Sequence, residues 1–129
     1  MTSIEVIDKI FSLLTTGGIT GSMFKQKHPD TRPSEYTSDA YIVINSLPLS
    51  GEYVSNVIVN VNCHVKDADQ KRGIPNLSLI NLMAGQVKGI LDGHVGSGMS
   101  IVFQQDHVIR EEDNKEHYMN NRFEVNILN

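Results

Sequence analysis

Five histidines are the residues of this sequence best suited to bind a metal or to move a proton, but their spacing specifies no site. His28, His64, His94, His107 and His117 include no HxxxH pair, and the chain has no cysteine pair to complete a zinc site. His107 and His117 flank the predicted final hairpin and could lie opposite each other, which by default gives a solvated pair. We therefore predict no metal ligands.

The single cysteine, Cys63, is predicted to be a core residue and not a nucleophile. It alternates in phase with Val61 and Val65, whereas the adjacent His64 must point to the opposite face of an extended strand. Cys63 and His64 therefore cannot act together. One cysteine also excludes an internal disulfide and is typical of a reducing compartment.

Motifs for nucleotide, calcium or catalytic sites are incomplete. Segment 67–73 begins like a calcium loop, but Lys71 stands at a ligand position and no glutamate closes the loop. The glycines at 96–98 lack the third glycine of a dinucleotide loop and precede a predicted strand instead of a helix. We therefore predict no catalytic residues, no cofactor and no enzyme activity.

Length and composition indicate one domain spanning residues 1–129. Hydrophobic residues make up 40% and charged residues 20%, and no apolar run reaches the ~20 residues needed to cross a bilayer. The first residues lack the basic start of a secretion signal. A net charge of −4, evenly spread, argues against a nucleic-acid partner, because such binding needs a concentrated basic face. We expect neither membrane nor sequence-specific nucleic-acid binding.

Hydrophobic periodicity predicts the elements that would position these residues. One helix is capped by Thr2 or Ser3 and ends at Gly17-Gly18, and a second begins after Asn76 and runs to about Leu91. Strands are predicted at about 19–24, 40–44, 52–66, 99–111 and 117–128, with a polar loop at 25–38 and a flexible link at 93–98. The order α-β-β-β-α-β-β predicts an α+β fold, with two helices packed on one face of a mainly antiparallel, twisted sheet.

The predicted strands are long for a domain of this size. Fifteen residues at 52–66 would span ~50 Å, and the final hairpin would reach ~40 Å, against a domain diameter of ~36 Å. These strands must therefore bend, carry a bulge, or protrude. A protruding hairpin exposes edges that can pair. A second subunit is the expected cover, and sharp coiling within one copy is the alternative.

Charged residues that flank these strands are the candidate contacts with other subunits or partners. Charge pairs at such positions fix orientation and partner choice more than affinity. The predicted interface residues are Lys66, Asp67, Asp69, Lys71, Arg72, Arg110, Glu111, Glu112, Asp113, Lys115 and Glu116.

Over nearly its whole length the chain resembles the tail-terminator (tail-completion) proteins of long-tailed bacteriophages and prophages. The resemblance rests on the opening helix ending in Gly-Gly-Ile at 17–19, the strand YIVI at 41–44 and the strand VNVNCHVKD at 59–67. It continues through the helix at 82–92 and the last strand with RFEV at 122–125.

This resemblance implies a structural protein without catalytic residues. Members of the family form a hexameric ring that caps the tail tube, stops its polymerisation and joins it to the head. The implied partners are further copies of the chain, the tail tube protein and a head-side neck or connector protein. The implied location is the bacterial cytoplasm during assembly, then the virion tail. The alternatives are another tail or neck component, such as a tube subunit, and a ligand-binding or enzymatic α+β domain with a deep apolar pocket.

Overall fold

A computed structural model describes residues 1–19, 22–25, 40–47, 51–111 and 115–128 of the chain. The predicted loop at 25–38 lies outside these ranges, except for Lys25. The described elements are α1 (Ser3–Thr16), β1 (Ser22–Lys25), β2 (Ala40–Leu47), β3 (Asn56–Lys66), α2 (Leu77–Leu91), β4 (Val95–Gly96), β5 (Met99–Glu111) and β6 (Glu116–Ile127).

Both helices begin and end where the sequence signals predict. The Thr2 hydroxyl accepts a hydrogen bond from the Glu5 backbone N–H at 3.1 Å, and Gly17 follows the last helical residue. In α2, the side-chain oxygen of Asn76 accepts from the backbone N–H of Leu79 at 3.2 Å. Each helix therefore has its first turn capped by a side chain.

The six described strands form one sheet in the order β1-β2-β3-β6-β5-β4. β1 and β2 pair in parallel, and every other neighbouring pair is antiparallel. Both helices pack on the face that carries Val61, Cys63 and Val65, which we call the inner face. The opposite face, which carries His64, is called the outer face. The predicted α+β fold and the position of the helices are confirmed.

The inner face holds the core, and Cys63 belongs to it as predicted. Residues 57, 59, 61, 63 and 65 are all buried, and Cys63 is fully inaccessible. Burial raises the pKa of its thiol to about 12. A thiol with so high a pKa is protonated at neutral pH, so it is a poor nucleophile.

Strand β3 begins four residues later than predicted. Tyr53 forms an isolated bridge with Thr2, and the Val54 N–H donates to the Met1 carbonyl at 3.0 Å. The segment before β3 therefore pairs with the start of the chain instead of extending the strand.

The predicted flexible link at 93–98 contains the short strand β4 and a tight turn. Val95 pairs with Ser100 and Gly96 with Met99. Ser97 and Gly98 between them have φ of 55° and 80°, the signs that a two-residue type I′ hairpin turn requires. The prediction of a flexible link was therefore wrong.

The final hairpin contains a bulge, one of the three outcomes that the length of the predicted strands allows. The β5–β6 register shifts between Phe103 and Gln105, whereas β3 pairs with β6 without a break from Asn56 to Lys66. A bulge bends its strand and increases the local twist. The curvature of the hairpin is therefore located in β5.

Candidate functional site

The two predicted charged loops lie at the same end of the sheet. The Asp67 N–H donates to the Lys115 carbonyl at 3.0 Å, and Lys66 and Glu111 each pair in register with Glu116. We call residues 66–72, 110–111 and 115–116 the charged end. The sequence named both loops as candidates, and antiparallel pairing of β3 with β6 brings them together.

The exposed charged residues of this end, among those that the structure describes, are all basic: Lys66, Lys71, Arg72, Arg110 and Lys115. Asp69 and Glu111 are half-buried, and Glu112 and Asp113 lie outside the described residues. The Asp69 carboxylate accepts from the backbone N–H groups of Lys71 and Arg72, both at 3.1 Å. That carboxylate therefore closes a turn within the loop.

Asp67 and Glu116, also candidate contact residues, are buried and bound within the chain. Asp67 Oδ1 lies 2.6 Å from His117 Nδ1 on the inner face. Glu116 Oε1 lies 3.0 Å from His64 Nδ1 on the outer face. With 5% and 0% exposure, these two carboxylates offer no charge to the surface. They fasten the end of β3 to the start of β6 from both faces.

Three aromatic rings stack across β2, β3 and β6 on the outer face. The His64 ring lies between Tyr41 and Tyr118, with centroid distances of 4.6 and 4.5 Å and interplanar angles of 7° and 21°. The Tyr41 hydroxyl donates to Glu116 Oε1 at 2.5 Å. The carboxylate thus contacts both a phenol and an imidazole. We call Tyr41, His64, Glu116 and Tyr118 the stacked cluster.

The sequence suggested that His107 and His117 lie opposite each other in the final hairpin. The structure shows that they do not. Glu111 pairs with Glu116, so His107 lies across from Asn120, and His117 lies across from Arg110. His107 is exposed, whereas His117 is buried against Asp67. Flanking a turn does not fix the register, which depends on the length of the loop.

A different set of side chains brings possible metal ligands together. His64, Glu111 and Glu116 each place one ligand atom so that all three lie within 4.8 Å of one another. They come from β3, β5 and β6, so they form no short motif. Sequence spacing does not reveal this set, because only the register of the three strands brings the residues together.

A ladder of asparagines continues the polar outer face beyond the stacked cluster. The Asn120 amide donates to the side-chain oxygens of Asn62 at 2.7 Å and Asn60 at 3.1 Å. The Asn60 amide in turn donates to Asn45 at 3.1 Å. These amides link β2, β3 and β6, so the outer face is held by side chains as well as by backbone.

A depression of about 280 Å³ lies beside the charged end. Its lining residues are Lys66, Asp67, Ala68, Gln70 and Asn76. This polar lining differs from the deep apolar pocket that a ligand-binding domain would require.

The pKa of Tyr118 is sensitive to the charges at this end of the sheet. Burial raises the pKa of its phenol, and the nearby Glu111 carboxylate raises that pKa further. We expect Glu111→Gln to lower the pKa of Tyr118, because it removes the negative charge that opposes ionisation. NMR titration of tyrosine labelled at Cζ would measure this, and Glu124→Gln should leave that pKa unchanged. An unaltered titration in Glu111→Gln would contradict the assigned cause.

Comparison of the chain with models of known protein families and with curated proteins finds no match. Among the described residues, neither helix has the length and apolar character required to cross a bilayer.

Proposed function

We propose that this chain is a structural protein that assembles head-to-tail into a closed ring through the edge of β5. The ring, on this proposal, caps a phage tail tube, ends its polymerisation and provides the joint to the head-side connector. The observation that carries the proposal is the length of β5 that extends beyond its short neighbour β4.

β4 covers only the first part of that edge. It pairs with Met99 and Ser100, and Ile101 exchanges backbone hydrogen bonds with residues 93 and 94. The Phe103 N–H donates to the Asp92 carboxylate at 3.0 Å. From 104 to 111, no described strand pairs with β5 on this side.

The backbone of this uncovered stretch is oriented for pairing. The residues at 105, 107, 109 and 111 pair with alternate residues of β6 whose backbone groups point toward β5. Asp106 and Val108 therefore direct their N–H and C=O groups away from β6. Both side chains are exposed. A row of outward backbone groups is a template for adding a strand from another chain.

A head-to-tail contact would use this edge on one copy and a different patch on the next. Such contacts close into a ring when the rotation between copies allows it, and otherwise make open filaments. The exposed basic side chains at the charged end would then meet an acidic surface on the tube or connector. The resemblance to tail terminators supports the ring over the filament. A tube subunit or another neck component is the alternative.

We expect Val108→Pro to abolish ring formation while leaving the fold intact. Proline removes the outward N–H but none of the hydrogen bonds between β5 and β6. Val108→Thr keeps both the N–H and the preference for strand, so it is the matched control. Sedimentation velocity at several concentrations, with and without tail tubes, measures assembly, and circular dichroism checks the fold.

The wild-type chain and Val108→Thr should form rings in solution or on tube ends, as seen by electron microscopy. A wild-type chain that is monomeric throughout and does not bind tubes would overturn the proposal. Open stacks of rings would favour the tube-subunit alternative. Rings that persist in Val108→Pro would show that the β5 edge is not the contact.

A further inference from the structure

We propose that His64, Glu111 and Glu116 bind one divalent transition-metal ion on the outer face of the charged end. The site lies within a single copy of the chain and does not depend on ring assembly. His64 and Glu116 are 1% and 0% exposed, whereas Glu111 is half-buried and provides the side open to solvent.

The spacing of the ligand atoms suits coordination. Ligands bonded at about 2.0–2.2 Å lie about 3 Å apart when adjacent on a metal, and about 4.2 Å apart when opposite. His64 Nδ1 and Glu116 Oε1 are 3.0 Å apart, the spacing of adjacent ligands. The complete set lies within 4.8 Å, so a side-chain shift of about 1 Å would bring all three ligands to bonding distance.

The charges also favour a cation at this position. Glu111 and Glu116 are direct cross-strand partners of β5 and β6, and like charges placed directly opposite destabilise a strand pair. Glu116 is completely buried, which adds a desolvation penalty to its charge. A divalent ion would neutralise both carboxylates.

Two tyrosines act as positioning residues for these ligands. The Tyr41 hydroxyl donates to the Glu116 oxygen that faces His64, which fixes the orientation of the carboxylate. The rings of Tyr41 and Tyr118 hold the imidazole between them. Groups that orient metal ligands in this way change affinity by about 10- to 100-fold when removed.

The ligand types select the class of metal. One imidazole with two carboxylates suits Zn²⁺, Mn²⁺ or Fe²⁺, whereas Ca²⁺ and Mg²⁺ prefer oxygen ligands alone. Mg²⁺ also keeps several bound waters, which the burial of His64 and Glu116 leaves little room for. The proposal is therefore specific to a transition metal.

The test uses the full chain after treatment with a chelator. Isothermal titration with Zn²⁺ and with Mn²⁺ should give one ion per chain, and Mg²⁺ should bind at least tenfold more weakly. Glu111→Gln should weaken Zn²⁺ binding at least tenfold, and Tyr41→Phe by about 10-fold or more. Circular dichroism establishes that each variant is folded.

Two controls separate this site from surface binding. Glu124→Gln removes a half-buried carboxylate from the same strand, and His107→Gln removes an exposed imidazole. Neither should alter Zn²⁺ affinity. NMR of the histidine ring nitrogens should show the His64 resonances shifting on titration. The proposal is overturned by an absence of Zn²⁺ and Mn²⁺ binding, by binding that Glu111→Gln leaves unchanged, or by loss of binding in His107→Gln.

Discussion

Replacing Glu116 by alanine should lower the free energy of unfolding by about 2–6 kcal/mol, since each of the two buried groups that loses this hydrogen-bond partner costs about 1–3 kcal/mol. The substitution takes away the carboxylate that contacts both the His64 imidazole and the Tyr41 hydroxyl. Both of these side chains are themselves only 1% exposed, so water cannot readily replace the lost contacts. Urea unfolding followed by circular dichroism would measure the change.

Two further variants define the origin of that loss. Glu116→Gln keeps an oxygen that can accept from Tyr41, so it should be less damaging than alanine. Glu124→Ala removes a half-buried carboxylate from the same strand and face, which accepts a 3.3 Å hydrogen bond from the exposed Gln104 side chain. Its effect should stay within about 1 kcal/mol. A Glu116→Ala protein as stable as Glu124→Ala would show that the stacked cluster does not hold β3 to β6.

The elements of this fold could be predicted because their signals are local. The Thr2 and Asn76 caps and the helical spacing of apolar residues locate both helices. The alternation from Val57 to Val65 identifies the inner face of β3, and the helices cover that face. Periods of two and 3.6 depend only on neighbouring residues, so a single sequence carries them in full.

The burial of the outer face could not be predicted in the same way. Alternation placed Asn60 and His64 together on the face away from the valines, and such a face is usually solvated in an antiparallel sheet. In the structure these two residues are 7% and 1% exposed. An alternation with a period of two shows which residues share a face of the strand. It does not show whether that face is buried.

The candidate site, too, could be predicted from the sequence only in part. The charged loops can be recognised from the charged residues that flank the predicted strands, and their meeting at one end follows once β3 pairs with β6. The sequence does not show which charged residues of these loops are buried. Asp67 and Glu116 are buried because they contact His117 and His64, and those contacts are known only from the structure. The ligand set of His64, Glu111 and Glu116 required the register of three strands, which depends on loop lengths and bulges that the sequence pattern leaves undetermined.

Alkaline solution should destabilise the protein through Cys63. Its thiol has a pKa of about 12 in the folded chain, raised by burial from an ordinary value of 9.0. Below pH 9 the thiol is protonated in both states, and the full stability is present. Between pH 9 and 12 the unfolded chain loses the proton first, so unfolding becomes easier by about 1.4 kcal/mol per pH unit, reaching about 4 kcal/mol at pH 12.

Cys63→Ala isolates this effect, because alanine fits the buried position and carries no ionisable group. The neighbouring Asn121 amide keeps its 3.1 Å hydrogen bond to the Val61 carbonyl. Alanine leaves a small void, so the variant should be less stable at pH 7 but lose less stability on going to pH 11. Titration of Tyr118 occurs in both proteins and cancels in the comparison of slopes. Urea unfolding at pH 7, 9, 10 and 11 measures the two slopes. Parallel slopes would mean that the unfolding of this chain is not linked to thiolate formation at Cys63.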